Sequence, residues 1–197
     1  MKGFHAVALC NGVFERTSSK DPAGIANWCL QWRAAVVAVD APCGWSRSGV
    51  SRLAERALKL GTERIQCFST PSRARALAHK RGFYDWVFNG EALYQHLVPH
   101  YPLFDGELRS GPLSFETFPH AIVCALAGKV VAAKPKVASR RGVLRRLGYA
   151  CDSLPNVDFV DAALCAVAAG EFLQRRIRVF GERGEGFIVL PALDVSG

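Results

Sequence analysis

The stretch that most constrains the fold is Ala34-Ala35-Val36-Val37-Ala38-Val39-Asp40, a continuous apolar run closed by an acid. It lacks the apolar–polar alternation of a half-solvated strand. Its valine content suits a central strand buried on both faces. Pro42 and Gly44 follow and stop it. Functional groups in open α/β sheets collect where strands end, because the tip of the strand faces a crevice. Asp40 is therefore a candidate from position alone.

The flanking segments supply the other elements. Phe4 to Cys10 reads as a strand, and Asn11-Gly12 is a strong hairpin signal because both residues tolerate positive φ. Val13 to Thr17 returns as the partner strand. Asp21-Pro22 opens a helix to about Arg33, with Asp at the cap and Pro in the first turn. Ser51 to Leu60 reads as a helix closed by Gly61. Pro71 to Leu97 reads as two helices broken near Gly82, and its aromatic residues Phe83, Tyr84, Trp86, Phe88 and Tyr94 suit a core or a cap over the crevice. A short strand is expected near Phe115 to Phe118 and a helix after Pro119. Ser139 is placed to cap a helix through Leu147. Asn156 is placed to cap a long apolar helix from Asp158 to about Leu173. Ile177 to Phe180 and Gly186 to Leu190 read as a terminal hairpin. At 197 residues the chain fits one domain, residues 1–197.

The net charge is +8. From Ala121 to Ala150 there is no acidic residue, while Lys129, Lys134, Lys136, Arg140, Arg141, Arg145 and Arg146 all fall there. A helix over this stretch would turn Val143, Leu144 and Leu147 inward and its arginines outward. Such a face is either a solvated surface or a phosphate-binding one, and the missing acids favour the second. The seven cysteines are odd in number, form no CxxC pair and lie mostly among apolar neighbours. That suits reduced, buried thiols. No run approaches a membrane span, and the N-terminus lacks a signal-peptide core, so a cytoplasmic protein is expected. P-loop, GxGxxG, GxSxG and HExxH patterns are absent.

The acids remain. Asp158 and Asp161 are three apart, so a helix places them on one face. The helix dipole accounts for an acid in the first turn, and so for Asp158. Asp161 sits among Phe159, Val160, Ala162, Ala163 and Leu164, where a carboxylate is costly unless paired with a cation or a metal. Glu116 lies between Phe115 and Phe118 near a strand end; in a purely structural role it would pair with a buried arginine or lysine. Three segments thus each bring an acid to the edge of apolar structure. Hard oxygen donors from distant segments are what Mg²⁺ or Mn²⁺ sites use, and two such ions can clamp the attacking and leaving oxygens of phosphodiester hydrolysis.

Several stretches resemble domain-of-unknown-function family 429, whose members are described as predicted nucleases with a ribonuclease H-like fold. They are AVDAPCGW (38–45), SRLAER (51–56), IQCFSTPSR (65–73), FYDWVFNGEALYQHL (83–97), ETFPHAIVCALAG (116–128), NVDFVDAALCA (156–166) and GEGFIVLP (184–191). The resemblance implies an α/β fold: a mixed sheet with a three-stranded antiparallel part, flanked by helices. It implies an acidic site of Asp40, Glu116 and Asp161, which would hold Mg²⁺ or Mn²⁺ in a two-ion site, with Asp158 assisting. Arg52, Arg56, and Lys134 or Lys136 are its phosphate-contacting candidates, with Arg140 and Arg141 from the basic stretch beside them. The implied activity is metal-dependent nuclease action on DNA or RNA. A catalytically inactive nucleic-acid-binding module on the same fold, or a small-molecule phosphotransferase, would be the alternatives. Such proteins carry a Gly-[Ile/Val]-Asp strand before the hairpin. Here Phe4 already reads as the second strand, so the first central strand is expected to be missing from this chain. A start placed too late is the favoured reason, over truncation or lost catalysis.

Overall fold

In the computed structural model, which describes residues 3–80 and 82–192, the hairpin forms as its turn residues require. Strand β1 (Phe4–Cys10) and β2 (Val13–Ser19) pair antiparallel, joined by Asn11 and Gly12 at φ 49° and 78°. Helix α1 (Pro22–Gln31) follows, its cap set by the Asp21 carboxylate, which accepts from the Ala23 N–H at 3.0 Å. The apolar run forms β3 (Val36–Val39). Next come α2 (Leu53–Ala57), β4 (Lys59–Leu60), β5 (Glu63–Arg64), α3 (Arg73–Ala78) and α4 (Asp85–Leu97). The remaining elements are β6 (Leu113–Glu116), α5 (Pro119–Ala127), α6 (Lys136–Arg146), α7 (Val157–Leu173), β7 (Ile177–Glu182) and β8 (Gly186–Pro191).

The main sheet has the order β3-β6-β8-β7 and is mixed: β3, β6 and β8 are parallel, while β7 returns antiparallel on β8. This mixed sheet flanked by helices is consistent with a ribonuclease H-like α/β fold. The side chains of β3 alternate between two cores. Val36 and Ala38 pack with the larger one, built on α5 and α7. Val37 and Val39 pack with a second core that includes Ile25, Cys29, Leu93 and Leu97 of α1 and α4. The strand is thus covered on both faces, as its apolar run demands.

Some expectations change. The run was expected to be central, yet β3 lies at the edge of the main sheet and only Val39 is fully buried. The antiparallel part holds two strands rather than three; β1 and β2 form a sheet of their own. The helix expected over Ser51 to Leu60 stops at Ala57, because Lys59–Leu60 pairs with Glu63–Arg64 instead. Helix α6 starts at Lys136, so Ser139 lies within it. Among the described residues no helix is long and apolar enough to cross a membrane.

Candidate active site

Asp40 directly follows β3, where the strand opens onto a cavity of about 920 Å³. Asp161 reaches the same cavity from the first turns of α7, whose start is fixed by Asn156: its Oδ1 accepts from the Phe159 N–H at 3.1 Å. Asp158 lines the cavity one turn earlier, and Lys136 and Arg140 line it from α6. Arg140 pairs with the Asp161 carboxylate. This is the cation that an acid in such apolar company requires.

The two aspartates feel each other. Burial, and then the nearby charge of Asp161, push the Asp40 carboxyl up to about 7, although Arg140 and Lys136 pull the other way. Burial also raises Asp161, to about 6, against the pull of Arg140. Asp40 has the more open side chain, so cavity water softens its shift. Two carboxyls that both resist ionisation next to one another form a site that a cation would relieve.

Glu116 ends β6 and is buried, but its oxygens are already taken. Arg52 spans them, donating from one guanidinium nitrogen to Oε1 at 2.5 Å and from the other to Oε2 at 2.7 Å. The Cys43 N–H donates to Oε2 at 2.8 Å. Arg52 is itself only 1% exposed and also donates to Glu55 at 2.9 Å. Burial would lower its pKa; the Glu116 and Glu55 carboxylates more than reverse that. Beside this clamp, buried Glu185 accepts from the Arg47 and Leu53 N–H groups at 2.5 and 2.6 Å. Glu55 and Glu185 were not singled out in the sequence. Their signal was weak: Glu55 lies in SRLAER and Glu185 between two glycines. Gly186 is required, since a Cβ there would lie 2.4 Å from the Cys43 sulfur.

The remaining cationic candidates divide. Lys134 and Lys136 are exposed, and Lys136 reaches the cavity. Arg56 is exposed and bonds to the Ser51 carbonyl. Arg52 has no surface on which a phosphate could lie. Arg140 is 6% exposed, and Arg141 bonds to the Cys151 and Leu154 carbonyls, so neither points outward as the helical pattern suggested. Of the aromatic cap, Phe83 and Trp86 are exposed at the cavity while Tyr94 is buried. Among the described residues no group of three or more His, Cys, Asp and Glu side chains is gathered as a metal cluster.

Residues 3–185 match the family described as "Protein of unknown function (DUF429)". No curated protein and no solved structure matches the chain.

Proposed function

From the premise that the chain belongs to DUF429, we propose that it is a metal-dependent nuclease, hydrolysing phosphodiester bonds in DNA or RNA at the Asp40–Asp161 end of its cavity. The observation that carries this is the meeting of two carboxyls of raised pKa, from β3 and α7, beside Lys136 and Arg140.

The donors fit a hard dication in part. Asp40 and Asp161 would hold it, with Asp158 on the same wall; one or two carboxylates suffice for Mg²⁺ when waters and substrate phosphates complete its shell. Glu116 does not fit, because Arg52 and the Cys43 N–H occupy its oxygens. A bound Mg²⁺ or Mn²⁺ would polarise the phosphoryl oxygen and ease ionisation of a water. The chain's own groups do the rest. Arg140 fixes the Asp161 carboxylate. Lys136 supplies positive charge to the approaching phosphate. The Arg52–Glu116 clamp ties α2 to the end of β6, next to the strand that carries Asp40.

The test is cleavage of single- and double-stranded DNA and RNA with Mn²⁺. Wild type should cut; Asp161→Asn and Asp40→Asn should lose at least about 100-fold while still folding, as judged by thermal melting. If no metal-dependent cleavage of any form occurs, the reading fails. The Arg140–Asp161 pair, in which a protein cation already engages one of the two carboxylates, favours a second reading, a nucleic-acid-binding module without catalysis. Salt-dependent binding without cleavage would select it.

A further inference from the structure

Three aromatic rings stand in water at the cavity: Phe68 is 70% exposed, Phe83 53% and Trp86 39%. Apolar side chains of this size are ordinarily covered, and several exposed together mark a binding surface. Their positions are held from behind. Phe68 sits in a loop tied to Glu55 on either side: the Thr70 N–H donates to the Glu55 carboxylate at 2.9 Å, and the Cys67 thiol donates to the Glu55 carbonyl at 3.9 Å. Trp86 rides on α4, which Trp45 anchors by an indole N–H to Glu91 at 2.9 Å and a ring contact with Phe88. The same helix is tied to the residue after Asp40, where the Tyr94 hydroxyl donates to the Ala41 carbonyl at 3.3 Å. Asn89, three residues after Trp86 and so on its face of the helix, lines the cavity too.

We propose that Phe68 and Trp86 are a stacking platform for unpaired bases, so that the cavity takes single-stranded nucleic acid in preference to duplex. This rests on the nucleic-acid reading of the same cavity. The two ring centroids lie 6.1 Å apart with their planes tilted by 56°. That tilt excludes a slot with parallel walls gripping one base, so each ring offers its own face to one base of a strand. In a duplex every base is covered above and below by its neighbours; an unpaired strand leaves those faces open to a ring. The charge around the rings selects a polyanion over an apolar protein surface. From Arg64 to Tyr84 there is no acidic residue, and Arg64, Arg75 and Lys80 of that stretch are exposed. Aromatic faces set among cations hold single strands without regard to sequence. Asn89 adds a carboxamide that can both donate to and accept from a base edge. The platform shares its cavity with Asp40 and Asp161, so a strand stacked there brings its backbone to the cavity that holds the acids.

Binding in the absence of metal tests this apart from catalysis. In EDTA and at one fixed salt concentration, labelled oligothymidylate, oligouridylate and a mixed-sequence duplex are titrated with protein and followed by fluorescence anisotropy. Phe68→Ala and Trp86→Ala should each weaken single-strand binding by about 5- to 150-fold, with thermal melting close to wild type, and change duplex binding by less than about twofold. Phe68→Tyr and Trp86→Phe, which keep a ring, should restore most of the affinity. Wild-type affinity in both alanine variants, an equal loss for duplex, or no single-strand binding at all overturns the proposal. So does a loss of self-association in the alanine variants with oligonucleotide binding unchanged, which assigns the rings to a protein surface. Ring-dependent binding by a protein that cuts nothing supports the platform and refutes the nuclease; cleavage unaffected by the alanine variants does the reverse.

Discussion

Replacing Arg52 with Met separates a structural Glu116 from a metal-binding one. The guanidinium bridges two carboxylates, Glu55 and Glu116, each only 4% exposed. Met keeps much of the aliphatic volume and removes the charge, leaving both acids buried without their cation. Breaking a buried pair in this way costs about 3–5 kcal/mol. For a chain of this size that corresponds to a fall in Tm of roughly 6–20 °C. Urea unfolding, read by circular dichroism, should show a lowered midpoint at unchanged slope. Glu116→Gln leaves Arg52 its Glu55 partner and should cost less, about 1–3 kcal/mol. The double variant should be at least ~1 kcal/mol more stable than the two single losses predict, because the groups touch. Arg52→Met within about 1 kcal/mol of wild type would refute the clamp. So would a Glu116→Gln protein of full stability that no longer binds Mn²⁺, since Glu116 would then be a ligand.

Asp40→Asn should raise stability in a pH-dependent way. A carboxyl held above its ordinary 3.8 favours the folded state at low pH, and that contribution fades as pH rises towards 7, by less than full burial would give because the Asp40 side chain is open to cavity water. The substitution should therefore have little effect near pH 4 and its largest benefit above pH 7, in melts without divalent metal; a pH-independent difference would contradict the assigned environment. Gly90→Ala should destabilise by about 1–3 kcal/mol despite the better helix propensity of alanine, since the added Cβ would lie 2.5 Å from the Ala41 Cβ where α4 crosses the end of β3. Chemical denaturation would show it, and a gain in stability would mean that α4 does not pack there.

Much of the fold was legible because local chemistry set it. The Asn11-Gly12 turn, the Asp21 and Asn156 caps and the break at Gly82 (φ 62°) all depend on residues within a few positions. The need of Asp161 for a cation was also readable from its apolar neighbours, and Arg140 meets it. What could not be read was pairing across distance. Glu116 and Arg52 are 64 residues apart, and nothing near either names the other. Arg145 and Arg146 of α6 lie exposed as its pattern implied, but Arg140 and Arg141 do not, for the same reason: carbonyls of Cys151 and Leu154 and the carboxylate of Asp161 draw Arg141 and Arg140 inward from other segments. The interior character of the apolar run was plain, but its edge position depends on which strands stand beside it.

That edge has a consequence for the behaviour of the protein in solution. Ala34-Ala35-Val36-Val37-Ala38-Val39 is six residues long, uncharged and free of proline and glycine, which is the composition of segments that stack into fibrils. Natural sheets guard such edges with lysines, bulges or cover; here the strand itself carries no guard. With its edge open, the chain should aggregate in a concentration-dependent, seedable manner. A strand that paired along this edge would suppress that aggregation.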